Sequence, residues 1–231
     1  VENRPAIPEP TLRRLPRYHQ FLVGLVQNSV RSVSCSLIGA ELALDPTQVR
    51  KDLACVRVVG KPNVGYSVSE LVRGIEELLG WNNTRDAFLA GAGNLGSALL
   101  GYSGFKTFGL NIVAAFDIDS RKIGTQVCGT HVLSLSKLPT LARRMHIHIG
   151  ILTVPAAQAQ SVAHLMVEGG IRAIWNFAPV PLHVPDNVVV QNENLESSLA
   201  ALSYKLDQRL RAEAERGITE NDSMPDAVSD R

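Results

Sequence analysis

The sequence contains no uninterrupted apolar run long enough to cross a bilayer, which excludes a membrane-spanning helix. Its first residues, Val1-Glu2-Asn3-Arg4-Pro5, carry no signal-peptide pattern, so a cytoplasmic location is expected. Cysteine is scarce. The three present, Cys35, Cys55 and Cys128, are odd in number and lack C-x-x-C spacing, which leaves no disulfide framework. They sit in apolar surroundings and are expected to be buried free thiols. The histidines (His19, His131, His146, His148, His164 and His183) are scattered without catalytic or ligand spacing, and no metal is expected.

What is present is unevenly distributed. At 231 residues and 45% apolar composition, the chain can hold two modest domains. A net charge of +1 conceals an asymmetry: between Arg4 and Lys61 nine Lys and Arg stand against four acids, leaving the remainder acidic. A basic module of this kind suits a polyanion partner, and equally a solvated basic face.

The first eighty residues read as helices. Leu12, Leu15, Leu22, Leu25 and Val26 recur at helical spacing after Pro10-Thr11. A short second helix over about 36–44 carries Leu37, Ile38 and Leu42 on one face. Asp45-Pro46-Thr47-Gln48 opens a third. Asp45 caps the free N–H groups, Pro46 suits the first helical position, and Gln48 stands where a capping box places its reciprocal acceptor. Val49, Leu53 and Val56 line the inward face, so Gln48, Arg50, Lys51 and Thr47 are expected to project outward. Short β-prone runs around Gly60-Lys61-Pro62-Asn63 predict a hairpin over 57–66. A fourth helix over 68–79 is introduced by Ser67 with Glu70 three residues on, and stops at Gly80. This order predicts a winged helix-turn-helix over residues 1–80.

From Thr84 the pattern becomes alternating strands and helices, an α/β doubly wound parallel sheet of the Rossmann type over 84–192. The apolar run Ala87-Phe88-Leu89-Ala90 leads into Gly91-Ala92-Gly93-Asn94-Leu95-Gly96, and a second run ends at Asp117. That order is the dinucleotide-binding fingerprint. Gly91 permits the tight turn, Gly93 lets backbone approach a pyrophosphate, and Gly96 lets helix pack on strand. Amides at the helix start then serve phosphate oxygens. Asp117 is placed to accept from both ribose hydroxyls and to repel a 2′-phosphate, favouring NAD(H); Asp119 is read as structural or minor. The strand ends Thr153-Val154-Pro155 and Asn176-Phe177-Ala178-Pro179 should line the crevice at the carboxyl edge of the sheet.

Further strands are expected around 131–133 and over 147–154, 171–177 and 188–191, with helices over 136–145 and 156–168. A last helix, over 193–211, places Leu195, Leu199, Leu202 and Leu206 at spacings of four, three and four. Such a seam packs either on its own sheet or on a second subunit. Residues 212–231 turn polar and acidic and are expected to be a disordered tail. One helix and a tail are too little for a substrate domain, so no enzyme and no small-molecule substrate are expected. The rival readings are a small NAD-dependent oxidoreductase and a CoA- or nucleotide-binding module; Asp117 favours a dinucleotide ribose.

Over roughly residues 6–206 the chain resembles the redox-sensing transcriptional repressors called Rex. The matching pieces begin with Ile7-Pro8-Glu9, Arg14-Leu15-Pro16-Arg17-Tyr18 and Gln48-Val49-Arg50-Lys51-Asp52-Leu53. Val64-Gly65-Tyr66, the glycine turn with Tyr102 and Gly104-Phe105, Phe116-Asp117-Ile118-Asp119, and the two crevice motifs complete the set. The resemblance implies a homodimer whose winged helices read a palindromic operator on double-stranded DNA. It also implies Rossmann domains that sense NADH against NAD⁺, with the last helix exchanged between subunits. Carried over, Arg50 and Lys51 lie in the major groove with Gln48 near bases or phosphate; Thr47, Arg57, Lys61 and Arg14 complete the DNA-facing set. Tyr102 belongs to the family's ligand-coupled switch, and Leu195 stands at its coenzyme-side aromatic position. Three departures follow. Gln20 replaces the family's arginine, Asn194-Leu195 replace an aspartate and an aromatic, and in the wing Arg57 replaces the family's second glycine after the recognition helix and Pro62-Asn63 its Arg-Gly tip.

Overall fold

The computed structural model describes residues 7–62 and 64–221. The chain forms two compact units, one containing the residues up to Arg85 together with Ser103–Asn111, the other Asp86–Tyr102 and the residues from Ile112 onward.

In the first unit, α1 (Glu9–Gln27), β1 (Ser32–Val33), α2 (Cys35–Leu42), α3 (Pro46–Ala54), β2 (Tyr66–Ser67) and α4 (Val68–Leu79) follow in order. Their helix starts have identifiable causes. Ser34 caps α2 by accepting from the Leu37 amide, Asp45 caps α3 by accepting from Thr47 and Gln48, and Ser67 caps α4 by accepting from Glu70. Gly80 ends α4 in the left-handed conformation. The core gathers Leu15, Tyr18 and Leu22 of α1, Ile38 of α2, Val49 and Leu53 of α3, and Leu71 and Ile75 of α4, all fully buried.

The wing differs from the expected 57–66 hairpin. Its ladder pairs β1 with β2, antiparallel, through Ser32–Ser67 and Val33–Tyr66, while Lys61 and Gly65 form a single bridge. β1 is two residues long, too short to leave a periodic signal. Gly65 sits at φ +87 with its α-carbon against the Val33 carbonyl, where a Cβ would collide.

The second unit begins with β3 (Arg85–Ala90) and α5 (Asn94–Gly101). The chain then returns to the first unit as α6 (Gly104–Thr107), where Phe108 tilts against Trp81 at 4.6 Å and Trp81 meets His19 edge-on at 5.0 Å. β4 (Leu110–Asp117), β5 (Gln126–Val127), β6 (Thr130–Ser134), α7 (Leu138–Met145), β7 (Ile149–Leu152), α8 (Ala156–Glu168), β8 (Ala173–Asn176), β9 (Val189–Asn192) and α9 (Leu195–Asn221) complete it. The sheet order is β5-β6-β4-β3-β7-β8-β9; the β4–β6, β3–β7, β7–β8 and β8–β9 pairs are parallel and the β5–β6 hairpin is antiparallel. The reversal of winding lies between β3 and β4 on one side and β7 on the other, the position at which such folds bind ligands.

Two expectations need correction here. Cys128 is exposed, not buried: it stands with Gly129 at the β5–β6 turn, and both have positive φ (50 and 80). Two successive left-handed residues are what a two-residue hairpin requires. The last helix also continues ten residues past 211, through Asn221, so 212–221 are helical rather than a disordered tail; residues 222–231 lie outside the described set. Along α9 the seam residues Leu199, Leu202 and Leu206 are 63, 64 and 54% exposed, so they do not pack on their own sheet.

Candidate functional site

The glycine turn is built by close approach. Gly91 takes φ +104, and a Cβ there would lie 2.8 Å from the Thr153 backbone. A Cβ on Gly96 would collide with the Gly91 carbonyl, so the first turn of α5 rests directly on the turn that precedes it. Gly93 is the opposite case, with nothing within 4 Å of where a Cβ would stand. Two glycines therefore bring backbone to backbone, and the third leaves a face open at the helix N-terminus, where unpaired amides favour an anion. Thr153 braces the arrangement, its hydroxyl shared between the carbonyls of Ala90 (3.0 Å) and Gly91 (2.8 Å).

Asp117 ends β4 beside this turn and is 8% exposed. Its Oδ2 accepts from the Ala92 amide (2.9 Å) and Lys122 Nζ (3.1 Å), and its Oδ1 from the Asp119 amide (2.9 Å). Burial opposes ionisation, but the Asp119 amide, Lys122 and the Ala92 amide together hold this carboxyl below the ordinary range. Asp119 is engaged by Arg121. A cavity of about 230 Å³ joins Gly91, Gly93, Asp117, Thr153, Val154 and Pro155, and Lys122 lines it as well. Sequence reasoning missed Lys122; its only signal is a basic residue in the turn after the strand-ending acid.

The second crevice motif lies elsewhere. Phe177, Ala178 and Pro179 line a separate cavity of about 310 Å³ with Asn192, Glu193, Asn194 and Glu196. Asn176 does not line it. This residue is fully buried and donates to the Val180 carbonyl and Asn192 Oδ1 while accepting from the Ala178 amide, so it shapes the loop instead of meeting a ligand. Asn194 accepts from the Ser197 amide at 2.8 Å, which gives α9 its first-turn partner. Asn94, Leu95 and Tyr102 are exposed on α5 and at its C-terminal cap, and the Leu195 side chain lies outside the described set.

In the first unit, α3 presents Thr47, Arg50 and Lys51 to solvent. Arg57 and Lys61 are exposed beyond it, and Asn63 lies outside the described residues. Two expected DNA-facing residues are turned inward. The Arg14 guanidinium is bidentate on Asp52 (Nε–Oδ2 2.6 Å), and Gln48 Nε2 donates to Asp52 Oδ1 at 2.9 Å rather than standing free. Tyr18 and Thr11 also donate to Asp52, at 2.6 and 2.9 Å. Asp52 is 1% exposed. Burial alone would raise its pKa, but Arg14, Tyr18, Thr11 and Gln48 bring it down to about 2. Arg14 is pushed above its usual value mainly by the bond to Asp52. This hub ties α1 to α3. The sequence held a signal for it, since an acid between inward-facing Val49 and Leu53 needs partners.

Comparison with known proteins bears on both units. Residues 82–180 match the family described as CoA binding domain, and residues 6–54 the family described as Putative DNA-binding protein N-terminus. The redox-sensing transcriptional repressor Rex of Treponema denticola is 44% identical over 200 residues, spanning 87% of this chain and 95% of that protein. The crystal structure of RSP in complex with β-NAD⁺ and operator DNA superposes with a TM-score of 0.84 at 35% identity, covering 92% of this chain and 98% of that one. The structure of RSP in complex with β-NADH gives 0.81 at 34% identity, covering 91% and 99%. With its winged helix, its Rossmann sheet and an identity of this size over nearly the whole length, the chain belongs to the Rex family of redox-sensing transcriptional repressors.

Proposed function

We propose that this chain is a homodimeric cytoplasmic repressor that binds a palindromic operator through its winged helices, and that NADH in its Rossmann unit lowers operator affinity. One observation carries the coenzyme half: open space over Gly93 beside a buried acid, Asp117, at the end of the neighbouring strand. The turn amides of the Gly91–Gly96 segment suit a pyrophosphate, and the Asp117 carboxylate suits a ribose diol. When bound, the coenzyme supplies a nicotinamide that is neutral when reduced and cationic when oxidised. An apolar pocket favours the neutral form, which gives the differential affinity that sensing requires.

On the DNA side, Arg50 and Lys51 project from the middle and last turn of α3 as base-reading candidates, with Thr47, Arg57 and Lys61 for the backbone. Gln48 remains a candidate only if it exchanges its bond to Asp52 for one to DNA. The exposed leucines of α9 suit a second subunit better than solvent. Two operator half-sites have fixed separation, so a dimer that changes the spacing of its recognition helices loses one of them. Among the described residues, the ionisable groups lining this cavity are Asp117 and Lys122, which are engaged with each other, and this supports a sensor over an oxidoreductase. A CoA module is the second reading, favoured by the name of the matching family; a carboxylate at the ribose edge opposes the 3′-phosphate of CoA.

The experiment uses Gly93→Val. Nothing lies within 4 Å of a Cβ at this position, so the fold accepts the side chain while the coenzyme's path is filled. The variant should melt like the parent, bind operator, and lose NADH binding together with its response to NADH. Unchanged NADH affinity would remove the coenzyme assignment.

A further inference from the structure

The Asp117–Lys122 pair has a consequence for which coenzyme the site accepts, an inference that rests on the dinucleotide reading above. Of the three donors on the Asp117 carboxylate, two are backbone amides, Ala92 and Asp119, fixed by the turn and by the strand end. The third, Lys122, is a flexible side chain, 38% exposed against 9% for its partner. Its place is set by the loop after β4, where the Lys122 and Ile123 amides both donate to the Asp119 carbonyl. That turn brings the ammonium back over the strand end, into the lining of the cavity that holds Gly91, Gly93 and Asp117.

The neighbouring cation is differently disposed. Arg121 is bidentate on Asp119 at 3.0 and 2.8 Å, is 87% exposed and does not line the cavity. Among the described residues, Lys122 is thus the cation that lines this cavity, and its charge is answered by Asp117. A ribose with free hydroxyls brings donors, which the carboxylate accepts once Lys122 swings aside. A 2′-phosphate brings a dianion, which meets the carboxylate first and the ammonium second.

We propose that Lys122 is a specificity-determining residue of the coenzyme site: restrained by Asp117 it leaves the site selective for an unphosphorylated ribose, and released from Asp117 it binds a 2′-phosphate. The acid and the lysine therefore act as one unit. The carboxylate repels a 2′-phosphate and the paired lysine offsets part of that repulsion, so the degree of selectivity is set by both.

The test measures dissociation constants of the full-length chain for NADH and NADPH by fluorescence titration, in the parent, Asp117→Asn, Lys122→Met, the double variant and Arg121→Ala. The parent should prefer NADH. Asp117→Asn should tighten NADPH by about tenfold, the value of one charge-assisted contact, and Lys122→Met in that background should abolish the gain. Lys122→Met alone should raise the NADH-to-NADPH affinity ratio by about fivefold, whereas a merely structural role would weaken both coenzymes alike. Arg121→Ala should leave the ratio as it is. Should Asp117→Asn fail to fold by thermal melting, Asp117→Ser takes its place, and the single Lys122 variant still decides. An equal NADPH gain with and without Lys122, or no change of ratio in Lys122→Met, overturns the proposal. If the parent binds neither coenzyme, the dinucleotide reading itself fails, and that result is distinct from the others.

Discussion

Arg14 of α1 and Asp52 of α3 face each other as a two-point pair, Nε to Oδ2 at 2.6 Å and Nη2 to Oδ1 at 2.8 Å, with the acid 1% exposed. This contact sets how α3 sits on α1. Removing Arg14 strands the buried Asp52 charge, so Arg14→Met should destabilise the winged-helix unit by about 3–5 kcal/mol. Arg14→Met with Asp52→Leu should cost far less, because no charge is left alone. Urea unfolding followed on the tryptophan signal measures both. Equal losses in the two variants would contradict the assignment of this pair.

The same carboxyl gives the stability a pH dependence of known sign. Its pKa falls from 3.8 to about 2 on folding, so the contribution is complete above pH 4 and is lost as the pH drops through 4 towards 2. The amount is on the order of 2 kcal/mol. Acid titration of the parent against Asp52→Asn should show an excess loss in that window for the parent.

Arg57 takes φ +58, a backbone conformation that glycine adopts freely and a side chain does not. The residue stands where the family resemblance expects glycine, and the chain has kept the glycine geometry. Arg57→Gly should therefore raise stability by roughly 0.5–1 kcal/mol while weakening operator binding through the lost cation. Thermal melts and operator titration should move in opposite directions.

Arg50→Ala with Lys51→Ala should reduce operator affinity at least a hundredfold, at about 1–3 kcal/mol per lost contact, and flatten its salt dependence. NADH affinity should stay intact, because these residues belong to the unit that does not carry the glycine turn. A filter-binding series in salt checks the first part and nucleotide fluorescence the second.

Much of this was legible in the sequence because local rules act alone at those positions. Asp45, Ser67 and Gly80 stop and start helices by satisfying backbone groups, and the three glycines of the turn answer to steric contact within a few residues. What escaped was long-range. Arg14 reads as one more surface cation until α3 is folded against it, and Asn176 reads as a crevice residue until β9 brings Asn192 alongside. Lys122 and Cys128 are decided by turns whose positive or tight backbone angles leave little trace in apolar periodicity. The departures at Gln20 and Asn194 were visible at once. Their effect was not, and Asn194 proves to cap α9, a role an aspartate would fill as well.

The most direct test of the whole account is operator occupancy by the full-length protein as the NADH-to-NAD⁺ ratio is raised at a fixed total coenzyme concentration. A progressive fall in occupancy, lost in Gly93→Val, is the predicted result; occupancy that stays level across the ratio while both coenzymes bind would contradict it.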